Sequence, residues 1–160
     1  MNSTSKSVLT ALNMLYFSFI MVMTLFGAIV FFLTVSGNIT QDAELALIFR
    51  YVLFVILPLG LGAGYFIFKQ GINAIKPTLS LREKLTKYQT TVLIRSGCFE
   101  MPGLFGAVAV LITGDLTFLL FTAIVIVLFV LLRPTIYTIT TDMNLSTKER
   151  AILENPSSPL

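Results

Sequence analysis

Ile94-Arg-Ser-Gly-Cys-Phe-Glu-Met-Pro-Gly-Leu-Phe-Gly-Ala-Val-Ala-Val-Leu-Ile-Thr113 is apolar and long enough to cross a bilayer, yet it holds a carboxylate, Glu100, well inside. A spanning helix needs about 20 mainly apolar residues. An acid at that depth costs about 2.5–3.5 kcal/mol on insertion scales, so it is read first as a functional residue. Arg95 stands five positions earlier, about 7.5 Å of helical rise, which puts Glu100 in the half of the bilayer nearer that arginine. At the i±3, i±4 and i+7 spacings Glu100 shares a face with Ser96, Gly97, Gly103 and Ala107. Such small neighbours predict a close helix contact. Pro102 breaks the hydrogen bond to the carbonyl of Cys98, and a kink there suits a structural role as well as a functional one.

Working outward, the whole chain has the composition of a membrane protein. Its 160 residues are 56% hydrophobic and 12% charged, with mean hydropathy +0.89; a soluble domain carries about 25% charge. Histidine is absent and Cys98 is the single cysteine. That excludes histidine acid–base chemistry, histidine metal sites and an intrachain disulfide. With one buried acid and no nucleophile–base pair, no enzyme, cofactor or metal is expected. The net charge of +3 is modest and falls where topology needs it, so nucleic acid is not an expected partner.

Four apolar runs are predicted to span, at about 14–35, 45–68, 92–113 and 116–132. The first exceeds the 7–15 apolar residues of a secretory signal and is read as a true helix. Lys6, the basic connection 69–91 and the tail 135–160 with Arg133, Lys148 and Arg150 lie on one side, while the opposite loops carry Asp42, Glu44 and Asp115 and no base. The positive-inside rule makes both termini cytoplasmic. The expected fold is an all-α, four-span transmembrane helical bundle in a plasma or bacterial inner membrane.

The halves also echo each other, as two repeated helical hairpins would. Leu25-Phe-Gly-Ala-Ile29 matches Leu104-Phe-Gly-Ala-Val108, and Leu79-Ser-Leu-Arg-Glu-Lys84 matches Leu145-Ser-Thr-Lys-Glu-Arg150. Apolar composition makes chance matches common, so duplication and chance both stand. Ser80-x-x-Glu83 and Ser146-x-x-Glu149 read as capping boxes that begin helical turns over 81–87 and 147–153. In the second run Gly60, Gly62 and Gly64 let another helix approach. If Lys69 and Arg95 share a depth, Glu100 faces the level of Gly64, and Arg50 the level of Asp115, where a salt bridge is expected, with Glu44 as the second candidate acid. Arg95 and Arg133 are expected to snorkel to the interface.

Residues 58–113 resemble the proteolipid hairpin of rotary ATP synthases, the c subunit of the membrane ring. Gly60-Leu-Gly-Ala-Gly64 is similar to that family's glycine stripe, and Glu100-Met-Pro-Gly-Leu-Phe-Gly106 to its ion-binding acid followed by an aromatic-Gly pair. The resemblance implies that Glu100 carries a proton or cation, with Gly62 and Gly64 lining it. This chain has a longer connection, adds Pro102 and Arg95 to the acid's helix, and flanks the hairpin with further spans.

Two functions follow. In the first, the protein is a small subunit, homo-oligomeric or part of a membrane complex, that binds a proton or cation at Glu100 beside Gly62, Gly64 and Ser96. Gly60, Gly64, Gly97, Gly103 and Gly106 then serve helix packing. In the second it is an accessory subunit whose Glu100 bonds a neighbouring helix and whose basic segment docks a partner. A membrane interior disfavours the charged carboxylate and pairing with Arg95 or Lys69 would favour it; both bases point or lie elsewhere, so Glu100 is expected to be protonated. Reporter fusions after Lys87 and after Leu160 should behave as cytoplasmic and one at Asn38 as external; a 69–91 segment reachable from outside would invert the topology.

Overall fold

The computed structural model describes residues 5–155, with the backbone alone for Ser5 and Lys6. Every regular element among these residues is helical: α1 (Ser5–Val35), α2 (Ala43–Asn73), α3 (Leu81–Thr113), a 3-10 turn (Leu116–Phe118) running into α4 (Leu119–Leu131), α5 (Ile136–Asp142) and α6 (Thr147–Glu154). Three helices, α1 to α3, are long and apolar enough to cross a membrane. A fourth span is reached if the turn, α4 and α5 count together, although the chain bends by 81° before α5.

The helix boundaries correct the sequence reading at the basic end. The segment 69–91 is not a long connection, because α2 runs on to Asn73 and α3 starts at Leu81. Ser80 does cap as expected. Its hydroxyl accepts from the Glu83 amide at 3.3 Å while the Glu83 carboxylate accepts from the Ser80 amide at 2.9 Å. That box starts the longest helix of the protein and not a separate surface turn. Leu81, Leu85, Tyr88 and Val92 then recur at helical spacing and turn inward, the last three buried. The tail is ordered through Glu154: Thr135 caps α5 with Thr138, and Ser146 caps α6 with Glu149. The end of the tail, 156–160, lies outside the described residues.

α3 is the axis of the bundle. Half of its most apolar window is buried, against 11% for α1 and 17% for α2, so the other helices are arranged round it. Phe99, Met23, Val125, Phe129 and Tyr16 form the middle of one core, which continues through Tyr88 and Leu85 to Ile139 of α5 and Leu153 of α6. A second core near the far end joins Val30, Leu53, Val110 and Phe118. Facing outward, Phe17, Phe32, Phe54, Phe66, Leu120 and Leu131 are each more than 60% exposed. Such apolar side chains on every flank suit a hydrocarbon surround.

Glycine sets how closely α2 and α3 approach. A Cβ on Gly60 would lie 2.9 Å from the Cys98 carbonyl and 3.2 Å from the Pro102 ring, and one on Gly71 would lie 2.6 Å from the Thr91 side chain. Pro102 has no amide to offer that carbonyl, so the freed oxygen of Cys98 is tucked against Gly60. The Gly60–Pro102 and Gly71–Thr91 pairs fix an antiparallel register within two residues of the expected one. Gly62 is different: a Cβ there meets nothing within 4 Å.

Gly60→Ala should therefore cost about 1–3 kcal/mol, since neither a backbone carbonyl nor a proline ring can swing aside. Gly62→Ala should be neutral or gain up to about 1 kcal/mol by removing helix-interior glycine. Unfolding of the two variants in detergent micelles checks both, and equal effects would refute this helix packing.

Candidate functional site

Glu100 is half-buried on α3 and, among the described residues, makes no hydrogen bond or ion pair. Its surroundings follow from the residues one turn away. Ser96 is fully buried and its hydroxyl oxygen has no partner. Gly103 is buried, and a Cβ on it would lie 2.9 Å from the Met23 sulfur of α1 and 3.0 Å from Val125 of α4. On the other side Gly97 is exposed, with nothing within 4 Å of a built Cβ. Successive residues turn by about 100°, which sets Glu100 between these two edges. The carboxyl lies on the seam where the α1–α3 contact gives way to open surface.

This placement corrects the predicted partnership with α2. A Cβ on Gly64 would lie 2.7 Å from the Phe99 ring and 3.0 Å from Cys98 Cβ, so those side chains fill the place expected for Glu100. Cys98 is about 200° round the helix from Glu100, and the acid thus points away from α2. Among the described residues a Cβ on Gly62 or on Gly97 would meet nothing within 4 Å. Gly106 meets α4 closely, with the Thr122 hydroxyl 2.9 Å and the Phe118 carbonyl 3.0 Å from a built Cβ.

One turn and a half toward the basic end lies a group that the sequence reading placed wrongly. Arg95 does not snorkel; it is 8% exposed. Its Nη2 donates to the Tyr16 hydroxyl and to the Leu132 carbonyl, each at 3.2 Å, and the guanidinium carbon stands 4.2 Å from the Phe68 ring centroid. The Tyr16 hydroxyl donates to the same carbonyl at 3.1 Å. One side chain of α3 thereby holds α1, α2 and the end of α4. The carbonyls at a helix C-terminus lack intrahelical donors and attract positive charge, which explains why a guanidinium is retained there. Its Nε is buried without a partner. The signal that could have found this group is Arg133-Pro134, which stops α4 at the depth of Arg95 and leaves its carbonyls to be met.

Ion pairs close the two ends. Arg50 donates to Asp115 at 2.9 Å, as expected. Between them the chain turns tightly at Gly114, whose φ of 68° is left-handed and whose missing Cβ leaves room for the Thr40 carbonyl. At Asp115 burial acts to raise the pKa, but hydrogen bonds from the Thr117 amide and hydroxyl and from Arg50 outweigh it and bring the carboxyl below its usual range. At the basic end Lys84, 6% exposed, donates to Glu149 at 2.6 Å and joins α3 to α6. That hydrogen bond leads the causes that lower the Glu149 pKa. Tyr88 donates to Asp142 of α5 at 3.2 Å.

Among the described residues no group of three or more His, Cys, Asp or Glu side chains is placed to hold a metal ion. Set against known protein families, curated proteins and solved structures, the chain matches none of them.

Arg95→Lys keeps the charge but offers no planar fork to lie on Phe68 while reaching both oxygens. It should cost about 1.5–3 kcal/mol of stability, the range for hydrogen bonds to a charged group. Arg133→Lys, at an exposed position, should stay within about 0.5 kcal/mol. Thermal unfolding in detergent distinguishes them; a silent Arg95→Lys would mean that the arginine is only an interface anchor.

Proposed function

We propose that this chain is a small integral membrane subunit that crosses the bilayer four times and binds a proton or a small cation at Glu100, at a contact with a second copy or another membrane subunit. The observation that carries the reading is the state of Glu100 itself. It is half-buried within a span, unpartnered among the described residues, and set between an unpartnered buried hydroxyl on Ser96 and the open space beside Gly97. A carboxyl in hydrocarbon needs a proton, a hydrogen-bond partner or a cation. Packing among the described residues supplies neither a hydrogen-bond partner nor a cation, whereas a helix laid along Gly97 would reach Glu100.

The depth of the site supports this. Arg50 to Lys69 on α2 and Arg95 to Thr113 on α3 each rise about 27–29 Å, close to the hydrocarbon thickness of about 30 Å. In that frame the Arg50–Asp115 pair lies at one interface and Arg95, with Tyr16, Lys69 and Leu132, at the other. The turn and α4, with α5 bent away at their end, make the fourth span in this reading, and α6 and the start of α3 lie in a cytoplasmic layer. Glu100 then sits about 7.5 Å inward from Arg95. The protonated acid donates to a carbonyl or hydroxyl in the contact. The ionised acid and the Ser96 oxygen offer two of the oxygen ligands that a small cation needs. The resemblance to the proteolipid hairpin points to the same acid, although here α2's glycines hold Phe99 and Pro102, so the lining must come from a neighbour.

An apolar carbodiimide, which reacts with a protonated carboxyl in the membrane, tests the reading with the protein intact in lipid. A single adduct that Glu100→Gln abolishes, formed less as pH rises or as cation is added, is the expected result. No adduct anywhere between pH 5 and 9 would signify a tightly paired carboxylate and leave the protein as an accessory subunit that uses Glu100 to bond its partner.

A further inference from the structure

At the basic end of the bundle a cavity of about 250 Å³ opens between α2, α3 and the elbow that joins α4 to α5. Its walls divide by chemistry. Tyr65, Phe68, Phe99, Leu131 and Leu132 are apolar, while Lys69, Arg95, Thr138 and Asp142 are polar or charged. Tyr65 is 59% exposed and Leu131 72%, so the apolar side is open on the flank that faces lipid. The charged side is supplied by the depth at which α2 leaves the apolar zone and by α5, which turns away by 81°.

Two features of the charged side are unexplained by the packing. Arg95 is more than nine-tenths buried, yet its Nε has no hydrogen-bond partner. Lys69 makes no ion pair among the described residues; its ammonium rests 5.8 Å from the Tyr65 ring centroid. The Arg95 guanidinium and the Lys69 ammonium both line this cavity, neither in an ion pair among the described residues, and two such cations suit a phosphate. Asp142 stands in the same cavity, held by the Tyr88 hydroxyl at 3.2 Å. Its carboxylate would repel an anion that had no donor of its own.

We infer that this cavity holds a phospholipid head group, with the phosphate between Lys69 and Arg95 and a donor on the same head group, an ammonium or a hydroxyl, meeting Asp142. The acyl chains leave past Tyr65 and Leu131 into the hydrocarbon. Basic pockets between spanning helices bind lipid head groups by the same physics. The carboxylate adds a selectivity: a choline head group, which has no N–H or O–H, cannot donate a hydrogen bond to Asp142.

The test uses the full-length protein, purified in detergent, delipidated and titrated with phosphatidylethanolamine, phosphatidylglycerol or phosphatidylcholine, with bound lipid counted by native mass spectrometry. The better of the first two should bind at least about tenfold more tightly than phosphatidylcholine, the ratio that one charge-assisted hydrogen bond supplies. Lys69→Gln, at an exposed position that risks no core contact, should weaken that binding about tenfold. Asp142→Asn, which still accepts from Tyr88, should bring the lipids closer together. Equal binding of all three lipids, or binding indifferent to Lys69→Gln, would overturn the proposal. Glycerophosphoglycerol, a head group without chains, should not compete at millimolar concentration. If it bound as tightly as the lipid, the site would take a free phosphoester and the lipid assignment would fail.

Discussion

A charge buried where α4 ends governs much of this structure. Burying a guanidinium is costly, and it persists only where hydrogen bonds and a favourable field meet it. Arg95 finds the Leu132 carbonyl, the Tyr16 hydroxyl and the Phe68 ring, which come from three different helices. Each of those helices is thereby tied in depth and rotation to α3. Tyr16 packs further on Phe129 at 5.1 Å between ring centroids, and Phe129 on Phe99 at 6.5 Å. The polar contact thus sits on top of the aromatic core and shares its geometry. Dispersion fills the bundle, but directional bonds choose which way its helices face.

The α2–α3 contact works differently, through small residues and a proline. In lipid, apolar attraction between helices is weak, and close approach of backbones replaces it. Gly60, Gly64 and Gly71 each present bare backbone to a side chain or carbonyl of α3. With that face of α3 filled by Phe99 and Pro102, and the faces at Gly103 and Gly106 filled by α1 and α4, the flank carrying Glu100 and Gly97 is left over. The one acid within the apolar stretch of α3 therefore lies on the flank that the fold does not use for itself.

Most of the helical layout was legible from hydropathy, because a span needs only length and apolar content. The outer turn was legible too: Arg50 was the lone base at that end, and the register favoured Asp115 over Glu44 as its partner. The capping boxes were readable, yet their consequence was missed at Ser80. The Leu81, Leu85, Tyr88, Val92 spacing continues without a break into the apolar stretch, and a basic surface pattern concealed it. Rotation about a helix axis was the weakest inference. Depth follows from counting residues, but the angle at which Glu100 points depends on which neighbour α3 packs against. Phe99 and Cys98, not Glu100, met Gly64 because larger apolar groups gain more from a close glycine. Arg95 was misplaced for a related reason: its partners lie 79 and 37 positions away in the chain, and no local pattern marks them.

That last separation sets a time during synthesis. At about 5–20 residues per second, the 37 positions between Arg95 and Leu132 correspond to about 2–7 s. The first 18 of those 37 positions complete α3, and through the rest the carbonyl that its guanidinium will bind does not yet exist. Its partners Tyr16 and Phe68 precede it in the chain, and only the carbonyl that accepts from both Arg95 and Tyr16 is still to come. The end of α4 is thus the last of the groups round Arg95 to be made, and its carbonyl completes the contact that ties the helices together.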